Sequence, residues 1–386
     1  VLNCAFGAPN SVSNFVERLP QKDVRWIRQP TLSKGIHLMR NLIRSLAPLA
    51  GASLVLATAT ACSSSAALPA TGQGAISPQT ATANFGRNAG GHAVPEKAKK
   101  QKPLLYVADA ESQQILVFDQ TKKSKKPQYP KYAISNGIAI PSGITTDLAG
   151  NLYVANEQTN AITIYAPGAK SPTAQITTGV NDPLDVAVDA YGDIYVANDP
   201  LYSASYINYY AAGSTYPAWT WYPPSSKNGA VIAGIALEYP AAGGLQSVFA
   251  AFNTPIGSNR VGDVAVCTPS SSTCGDLDYS LGQIEGIAVE ESPDMPSGPL
   301  DFLVADQNIP GYDNVVSYGT INKVTTGGIP QYLTFNSTRT RLFVSNDEIV
   351  DEYTYPSMKK VAYYRATGSG GGQMYGVAAS PPGTYF

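Results

Sequence analysis

The sequence predicts an all-β protein: a six-bladed β-propeller of four-stranded blades, its ring closed by the C-terminal strand pairing with blade 1. Three observations carry that prediction. First, the stretch 141–168, PSGITTDLAGNLYVANEQTNAITIYAPG, contains three short β-rich runs joined by polar turns. Second, the end of its second run recurs six times, in LLYVAD, NLYVAN, DIYVAN, SVFAAFN, DFLVAD and RLFVSN, ending at Asp109, Asn156, Asn198, Asn253, Asp306 and Asn346. The intervals of 40 to 55 residues suit a four-stranded propeller blade rather than a leucine-rich or helical repeat. Third, a matching first strand precedes five of the six copies, at Gly143-Ile144, Asp185-Val186, Gly234-Ile235, Gly286-Ile287 and Tyr332-Leu333. The missing one stands at the far end, Met374–Ser380, whereas Leu104–Asp109 has no first strand before it. Pairing the two fragments closes the ring and removes both open sheet edges.

Taken in order, residues 1–38 contain no Met and do not resemble the rest, so Met39 is expected to be the true start and 1–38 an over-extended N-terminus. Residues 39–61 have the form of a bacterial lipoprotein signal peptide. Arg40 and Arg44 precede the apolar stretch Leu46–Ala57, and Ala59-Thr60-Ala61-Cys62 resembles a lipobox ending in the lipidated cysteine, with Ala where Leu is usual. The apolar stretch is short for a membrane span, which needs about 20 residues. An ordinary secretory signal with a neighbouring cysteine is the alternative. Residues 62–102 are rich in Ser, Ala, Thr, Gly and Pro and end in a Lys cluster, the composition of a disordered tether. The propeller then fills 103–386. The expected location is the cell envelope: exported, lipid-anchored to a bacterial membrane through Cys62, with the propeller facing the periplasm or exterior.

Cysteine usage is compatible with export. With Cys4 upstream and Cys62 as the lipid site, Cys267 and Cys274 remain, flanking the turn sequence Thr-Pro-Ser-Ser-Ser-Thr between two strand-like runs of blade 4. They are candidates for a local disulfide in an oxidising compartment, two free thiols being the alternative. Charge excludes a class of partner. Residues 103–386 hold 14 Lys and Arg against 25 Asp and Glu, so nucleic acid, which needs concentrated basic charge, is not expected. The basic run Lys122–Lys126 and the tether's lysines could lie near an anionic lipid surface.

The two histidines, His37 and His92, lie outside the propeller, which excludes a His-based acid/base, a Ser-His-Asp triad or a His-ligated zinc within it. The glycine run 368–372 is not preceded by a suitable strand or followed by Lys, so it is no phosphate loop. What remains is the channel mouth, where Asp109, Asn156, Asn198, Asn253, Asp306 and Asn346 end the second strands. Such residues also terminate strands as Asx-turns, and repetition in every blade favours that architectural role. Positions that differ between blades are better candidates. Glu285 stands where other blades have Ser142, Leu184, Ala233, Gln331 and Tyr375, and Asp185 follows one position later in its own blade. With Asn neighbours, these carboxylates could hold Ca²⁺ or another divalent ion through oxygen ligands, Glu285 being the candidate metal ligand, although solvated mouth acids are commoner. No other cofactor is expected.

Aromatics supply a second asymmetry. Of 24 Tyr in the chain, blade 3 holds Tyr202, Tyr206, Tyr209, Tyr210, Tyr216 and Tyr222, together with Trp219 and Trp221. Tyr202, Trp219 and Trp221 form a candidate aromatic surface for a sugar or protein, with cross-strand packing as the alternative. Longer connections between second and third strands in blades 3, 4 and 5, around Pro200, Pro255, Ile256, Ile309 and Pro310, are expected to enlarge the mouth.

PSGITTDLAGNLYVANEQTNAITIYAPG and its copies through residue 379 resemble the NHL-type six-bladed propellers of many exported bacterial proteins. The resemblance implies ligand or protein binding. Two enzyme groups share the architecture. The gluconolactonase-like hydrolases hold a divalent metal by Glu, Asn and Asp at the mouth, and Glu285-Gly286 resembles the start of their metal-binding strand. Virginiamycin B lyase-like enzymes rely on a His absent here. The expected function is a lipid-anchored, non-catalytic module binding an envelope protein, a glycan or a small molecule, with a metal-dependent lactone hydrolase second.

Overall fold

In every blade the β-rich runs pair as antiparallel neighbours, the inner strands carrying apolar residues on both faces while outermost strands such as Ala174–Ile176 are largely exposed. The second strand of blade 2, Leu152–Asn156, is buried along its whole length. The computed structural model describes residues 102–381 apart from 122–125, 202, 228, 239–246, 257–258, 291–300, 309–311, 319–322, 327 and 367–371. Six four-stranded antiparallel sheets are present among the described residues. The chain is an all-β propeller.

Numbered by their second strands, the blades have inner strands Met374–Ser380 (blade 1), Pro141–Thr146 (blade 2), Pro183–Val188 (blade 3), Val231–Glu238 (blade 4), Gln283–Glu290 (blade 5) and Pro330–Phe335 (blade 6). These strands touch their neighbours in ring order, blade 6 meeting blade 1 and blade 1 meeting blade 2. Ring closure is the pairing of Met374–Ser380 with Leu104–Asp109, in the register Leu104 with Ser380, Leu105 with Ala379, Tyr106 with Ala378 and Val107 with Val377. The last strand of the chain is thus the inner strand of the first blade.

The apolar core lies between blades. Tyr153, Ile162, Val186 and Val196 join blades 2 and 3. Trp221, Ile232, Phe252 and Cys267 join blades 3 and 4. Phe249, Val264, Ile287 and Phe302 join 4 and 5, and Leu303, Leu333, Leu342 and Val344 join 5 and 6. The largest cluster spans blades 6, 1 and 2, bringing Phe343 and Tyr364, Val107 and Val377, and Ile144 and Val154 into one body. Closure therefore buries apolar surface on both flanks of blade 1, at about 25 cal/mol per Å².

The connections of blades 4 and 5 differ from the long loops expected. The second strand of blade 4, Ser247–Ile256, runs past Asn253 and stays paired with Asn259–Cys267, so that Thr254 faces Val261 and Pro255 faces Arg260. In blade 5, Asp301–Asn308 likewise continues past Asp306, pairing Gln307 with Asp313. The ladder there continues beyond the Asx position instead of ending at it. Ile309 and Pro310 lie outside the described residues, as do residues 1–101, on which the expected signal peptide, Cys62 and most of the expected tether fall, and Lys122–Lys125 of the basic run.

Deleting Met374–Ser380 should leave Leu104–Asp109 with an open edge and strip the apolar cover from blades 6 and 2. Thermal denaturation of the truncated chain is expected to show a Tm lower by about 10 °C or more, or no cooperative transition at all. An unchanged Tm would refute the closure.

Candidate functional site at the channel

All six inner strands break register with their partners at the same level. The shifts fall between Pro141 and Ile144, Pro183 and Asp185, Ile232 and Gly234, Ile284 and Ile287, and Pro330 and Leu333, with the equivalent break opposite Val107 and Asp109 in blade 1. Such bulges turn the strand edges toward the axis, where the blades crowd one another. Four blades answer the crowding with glycine: Gly143, Gly234, Gly286 and Gly376. A Cβ on Gly234 would lie 2.5 Å from the Glu285 carbonyl oxygen, and one on Gly286 2.7 Å from the Tyr332 Cα.

Blades 3 and 6 carry Asp185 and Tyr332 at this level. Both are buried and both enter the space at the ring centre. The Tyr332 hydroxyl lies 2.8 Å from the Leu184 carbonyl of blade 3, 3.1 Å from the Ala233 carbonyl of blade 4 and 3.4 Å from Ser142 Oγ of blade 2. One phenol thus crosses from blade 6 to three other blades. Its backbone is held in turn by Ser345, whose hydroxyl accepts from the Tyr332 N–H at 2.9 Å and donates to the Tyr332 carbonyl at 3.2 Å. That hydroxyl replaces ladder bonds interrupted by the bulge, and it stands where the blade repeats YVAN carry Ala155 and Ala197.

Both Asp185 carboxylate oxygens accept backbone N–H groups. Oδ1 takes Val186 at 2.8 Å and Oδ2 takes Ile235 of blade 4 at 2.9 Å. Burial raises its pKa to about 7, outweighing the two hydrogen bonds, which lower it. The Tyr332 hydroxyl is pushed far above the usual tyrosine range, first by burial and then by Asp185, with Glu285 and Glu157 adding to the effect. These carboxylates act on the phenol in the same direction, against its ionisation. On one side of this plug the channel is a cavity of about 160 Å³, walled by inner-strand residues such as Ile144, Val186, Ile235 and Leu333 and lined also by Arg339.

Glu285 is half-buried and accepts from Gln283 Nε2 at 2.9 Å. The repeated Asn and Asp residues are buried, and those with described bonds clamp backbone. Asn156 Oδ1 accepts from Ala139 N at 2.9 Å, just before the inner strand of its own blade, and Asn198 Oδ1 does the same for Asn181 N at 2.8 Å. Asn253 reaches into blade 5, accepting from Ile284 N at 2.9 Å and donating to the Ile284 carbonyl at 2.6 Å. Asp109 holds its own turn through Ser112 N at 3.2 Å and the Ser112 hydroxyl. Asp306 sits in register with Ile284, and Asn346 is buried beside Gly328.

Among the described residues, one trio of acids lies close enough to share an ion: Asp263 and Asp276 on the two outer strands of blade 4, and Asp278 just beyond the last of them. Lys227 enters this trio, with Nζ 2.9 Å from Asp263, 3.0 Å from Asp276 and 3.9 Å from Asp278. The hydrogen bonds to Asp263 and Asp276 raise the Lys227 pKa, so the ammonium supplies the positive charge these acids face. Nothing in the sequence signals this cluster, since Lys227 and Asp263 lie 36 residues apart.

The aromatic surface needs a correction. Trp221 is buried to 1 % exposure, stacked at 6.2 Å on Tyr195 and edge-on at 6.4 Å to Tyr209, and its Nε1–H donates to the Thr268 carbonyl of blade 4 at 2.9 Å. The inward side of its short strand faces the next blade, so the indole is core. Trp219, on the same side, is partly buried against that cluster. Tyr202 lies outside the described residues. Among the described residues, the exposed aromatics of blade 3 are Tyr216 and Tyr222. Cys267 and Cys274 are joined as a disulfide across their turn.

No family model and no curated protein matches this sequence. Among solved structures, the chain is similar to Kuenenia stuttgartiensis hydrazine synthase, at 13 % identity over 65 % of this chain and 73 % of that one, with a TM-score of 0.43. It is also similar to the Dos1 propeller, at 11 % identity over 69 % of this chain and 70 % of that one, again with a TM-score of 0.43. At these values the likeness extends no further than the fold.

Two outcomes follow for the plug. Tyr332→Phe should cost about 1–3 kcal/mol in chemical denaturation, because buried carbonyls lose their donor. Asp185 has a folded-state pKa raised from an ordinary carboxylate value to about 7, so its stabilising contribution is full below about pH 4 and is lost as pH rises through 7. Asp189, raised to about 7 by burial and by Asp193, acts in the same direction. Denaturation midpoints should fall between pH 4 and 7, and Asp185→Asn should flatten part of that slope. A midpoint rising over this range, or a slope unchanged in the variant, would refute the assignment.

Proposed function

We propose that the chain is an exported, lipid-anchored NHL-type propeller that acts as a non-catalytic binding or scaffolding module of the cell envelope. The propeller fold itself supports a binding module in general. The observation that carries the non-catalytic part is the occupation of the ring centre by Tyr332, bonded to blades 2, 3 and 4, with both Asp185 oxygens turned to backbone N–H groups. A metal-dependent hydrolase needs several oxygen ligands converging on one ion with an open coordination position. Here Asn156, Asn198 and Asn253 bond backbone instead, and Glu285 bonds Gln283. Lipid anchoring rests on the motif ending at Cys62.

The test joins four measurements on the full chain. Ca²⁺ should not raise the Tm beyond the effect of matched ionic strength, and lactones should not be turned over; a saturable stabilisation lost in Glu285→Gln would promote the hydrolase instead. A fatty-acid analogue supplied to cells should label the protein, and Cys62→Ala should release it to the soluble fraction. Unlabelled, soluble wild type would sink the anchor.

A further inference from the structure

Cations are scarce in this domain, 14 Lys and Arg against 25 Asp and Glu over 103–386, yet several gather on one edge. Along the outer edge of blades 6, 1 and 2 stand Lys359, Lys126, Lys131 and Lys170, all exposed. Lys359 opens the outer strand of blade 6, Lys126 ends the basic run, Lys131 leads into the outer strand of blade 1, and Lys170 precedes the outer strand of blade 2. The acids beside this edge are engaged. Asp351 takes Lys360 at 2.6 Å, Glu348 takes Arg365 at 3.7 Å, and Asp119 accepts from Thr121 N–H at 3.0 Å.

The segment between Lys126 and Lys131, Pro127-Gln128-Tyr129-Pro130, laces two of the blades together. Gln128 is buried, and its N–H donates to the Tyr363 carbonyl of blade 6 at 3.1 Å while its carbonyl accepts from Arg365 N–H at 2.9 Å. Lys131 N–H returns to the Val117 carbonyl of blade 1 at 2.7 Å. With Gln128 turned in, alternation along extended backbone turns the next residue out. Tyr129 is 55 % exposed, between two prolines that restrict the backbone on either side of it. On the blade 2 side, Lys170 Nζ lies 5.4 Å from the centre of the Tyr132 ring. Ammonium groups and an outward phenol thus share one edge across three blades.

The direction of the chain is a third observation. The Pro103 carbonyl accepts from Gln120 N–H at 3.1 Å, so the chain enters the propeller through blade 1, the middle one of the three, beside the connection that leads to Lys126. Residues 62–102, expected as the tether from Cys62, run into that point.

We propose that this edge of blades 6, 1 and 2 is the face that the propeller lays on an anionic phospholipid bilayer. Each lysine near such a surface strengthens binding roughly fivefold. Its aliphatic stem lies along the interface while the ammonium group meets phosphate. Tyrosine suits the same depth, with its ring toward the acyl carbons and its hydroxyl in the wet headgroup layer. A soluble anion would engage the lysines and leave Tyr129 in water, whereas a bilayer engages both. The proposal rests on the anchored-envelope reading, which brings a bilayer within reach of blade 1, and it adds the edge that faces the lipid. The ring axis then runs along the membrane plane, and the channel mouth stays accessible to partners.

The test is sedimentation of the full chain carrying Cys62→Ala with lipid vesicles. The chain should pellet with vesicles of mixed phosphatidylcholine and phosphatidylglycerol and far less with phosphatidylcholine alone. Salt raised from about 0.1 M to about 1 M should release it. Combining Lys126→Glu, Lys131→Glu, Lys170→Glu and Lys359→Glu should weaken binding about tenfold or more while far-UV circular dichroism stays unchanged. Tyr129→Trp reads the contact independently of those lysines: brominated lipid in the anionic vesicles should quench its fluorescence more than that of the same chain with Tyr129. Equal pelleting with neutral vesicles, undiminished binding in a folded four-lysine variant, or no added quenching would overturn the proposal. Binding to alginate with none to vesicles would overturn it too, making the occupant an anionic polymer. Fatty-acid labelling separates the two readings. A labelled wild type whose Cys62→Ala form ignores vesicles loses this edge and keeps the anchor, whereas an unlabelled wild type that binds anionic vesicles loses the anchor and keeps the edge.

Discussion

Everything in this ring depends on how closely six inner strands can approach one axis. At the level of the bulges there is no room for a Cβ on four of them, which is why Gly143, Gly234, Gly286 and Gly376 occur there. Once four blades carry no side chain, a central space exists that the other two can fill. Asp185 and Tyr332 fill it, and the Tyr332 hydroxyl ties blade 6 to blades 2, 3 and 4. Glycine at one position in most copies thus creates the site of the residues that break the symmetry.

The same constraint explains how a ring of similar blades obtains one particular closure. Each blade is marginal alone, since both faces of its sheet are apolar and need neighbours. Packing Val377 and Ala378 of the last strand beside Val107 and Tyr106 completes blade 1 from both ends of the domain, so no blade is finished until the chain is. Tyr332 then adds a polar check on the ring as a whole. Its hydroxyl is satisfied only when blades on the far side are in place, because an unbonded phenol there would be a buried orphan.

Blade number, blade boundaries and closure were legible in the sequence because they follow from a repeat. Copies of YVAN and a first strand left over at Met374–Ser380 need no knowledge of contacts. Glu285 differs from the other residues of its column, and in the next column four Gly, one Asp and one Tyr set Asp185 and Tyr332 apart from the remaining blades. Trp221 went the other way. Alternation along a three-residue strand cannot say which side meets the next blade, and the indole proved to be core while Tyr222, next to it, faces out. The Asn repeats looked alike in sequence, yet Asn253 clamps blade 5 where Asn156 and Asn198 clamp their own blades. Identical letters acquire different partners once the extended hairpin of blade 4 changes what lies beside them.

Symmetry also separates the two regions with functional potential. At the axis, space is scarce and every polar group with described bonds is turned toward backbone or a neighbouring side chain, as Asp185, Asn253 and Glu285 show. Those bonds stabilise the ring, and a ligand entering there would have to replace them one for one, since a buried group left unpaired costs about 1–3 kcal/mol. At the periphery the blades diverge, and the one local crosslink among the described residues lies beside the exposed Tyr222. A crosslink of sequence separation 7 closes too small a loop to dominate the stability of a domain of this size. Its clearest physical effect is local, in fixing the geometry of the turn that grips Tyr222 through the Ser272 carbonyl and the Cys274 N–H.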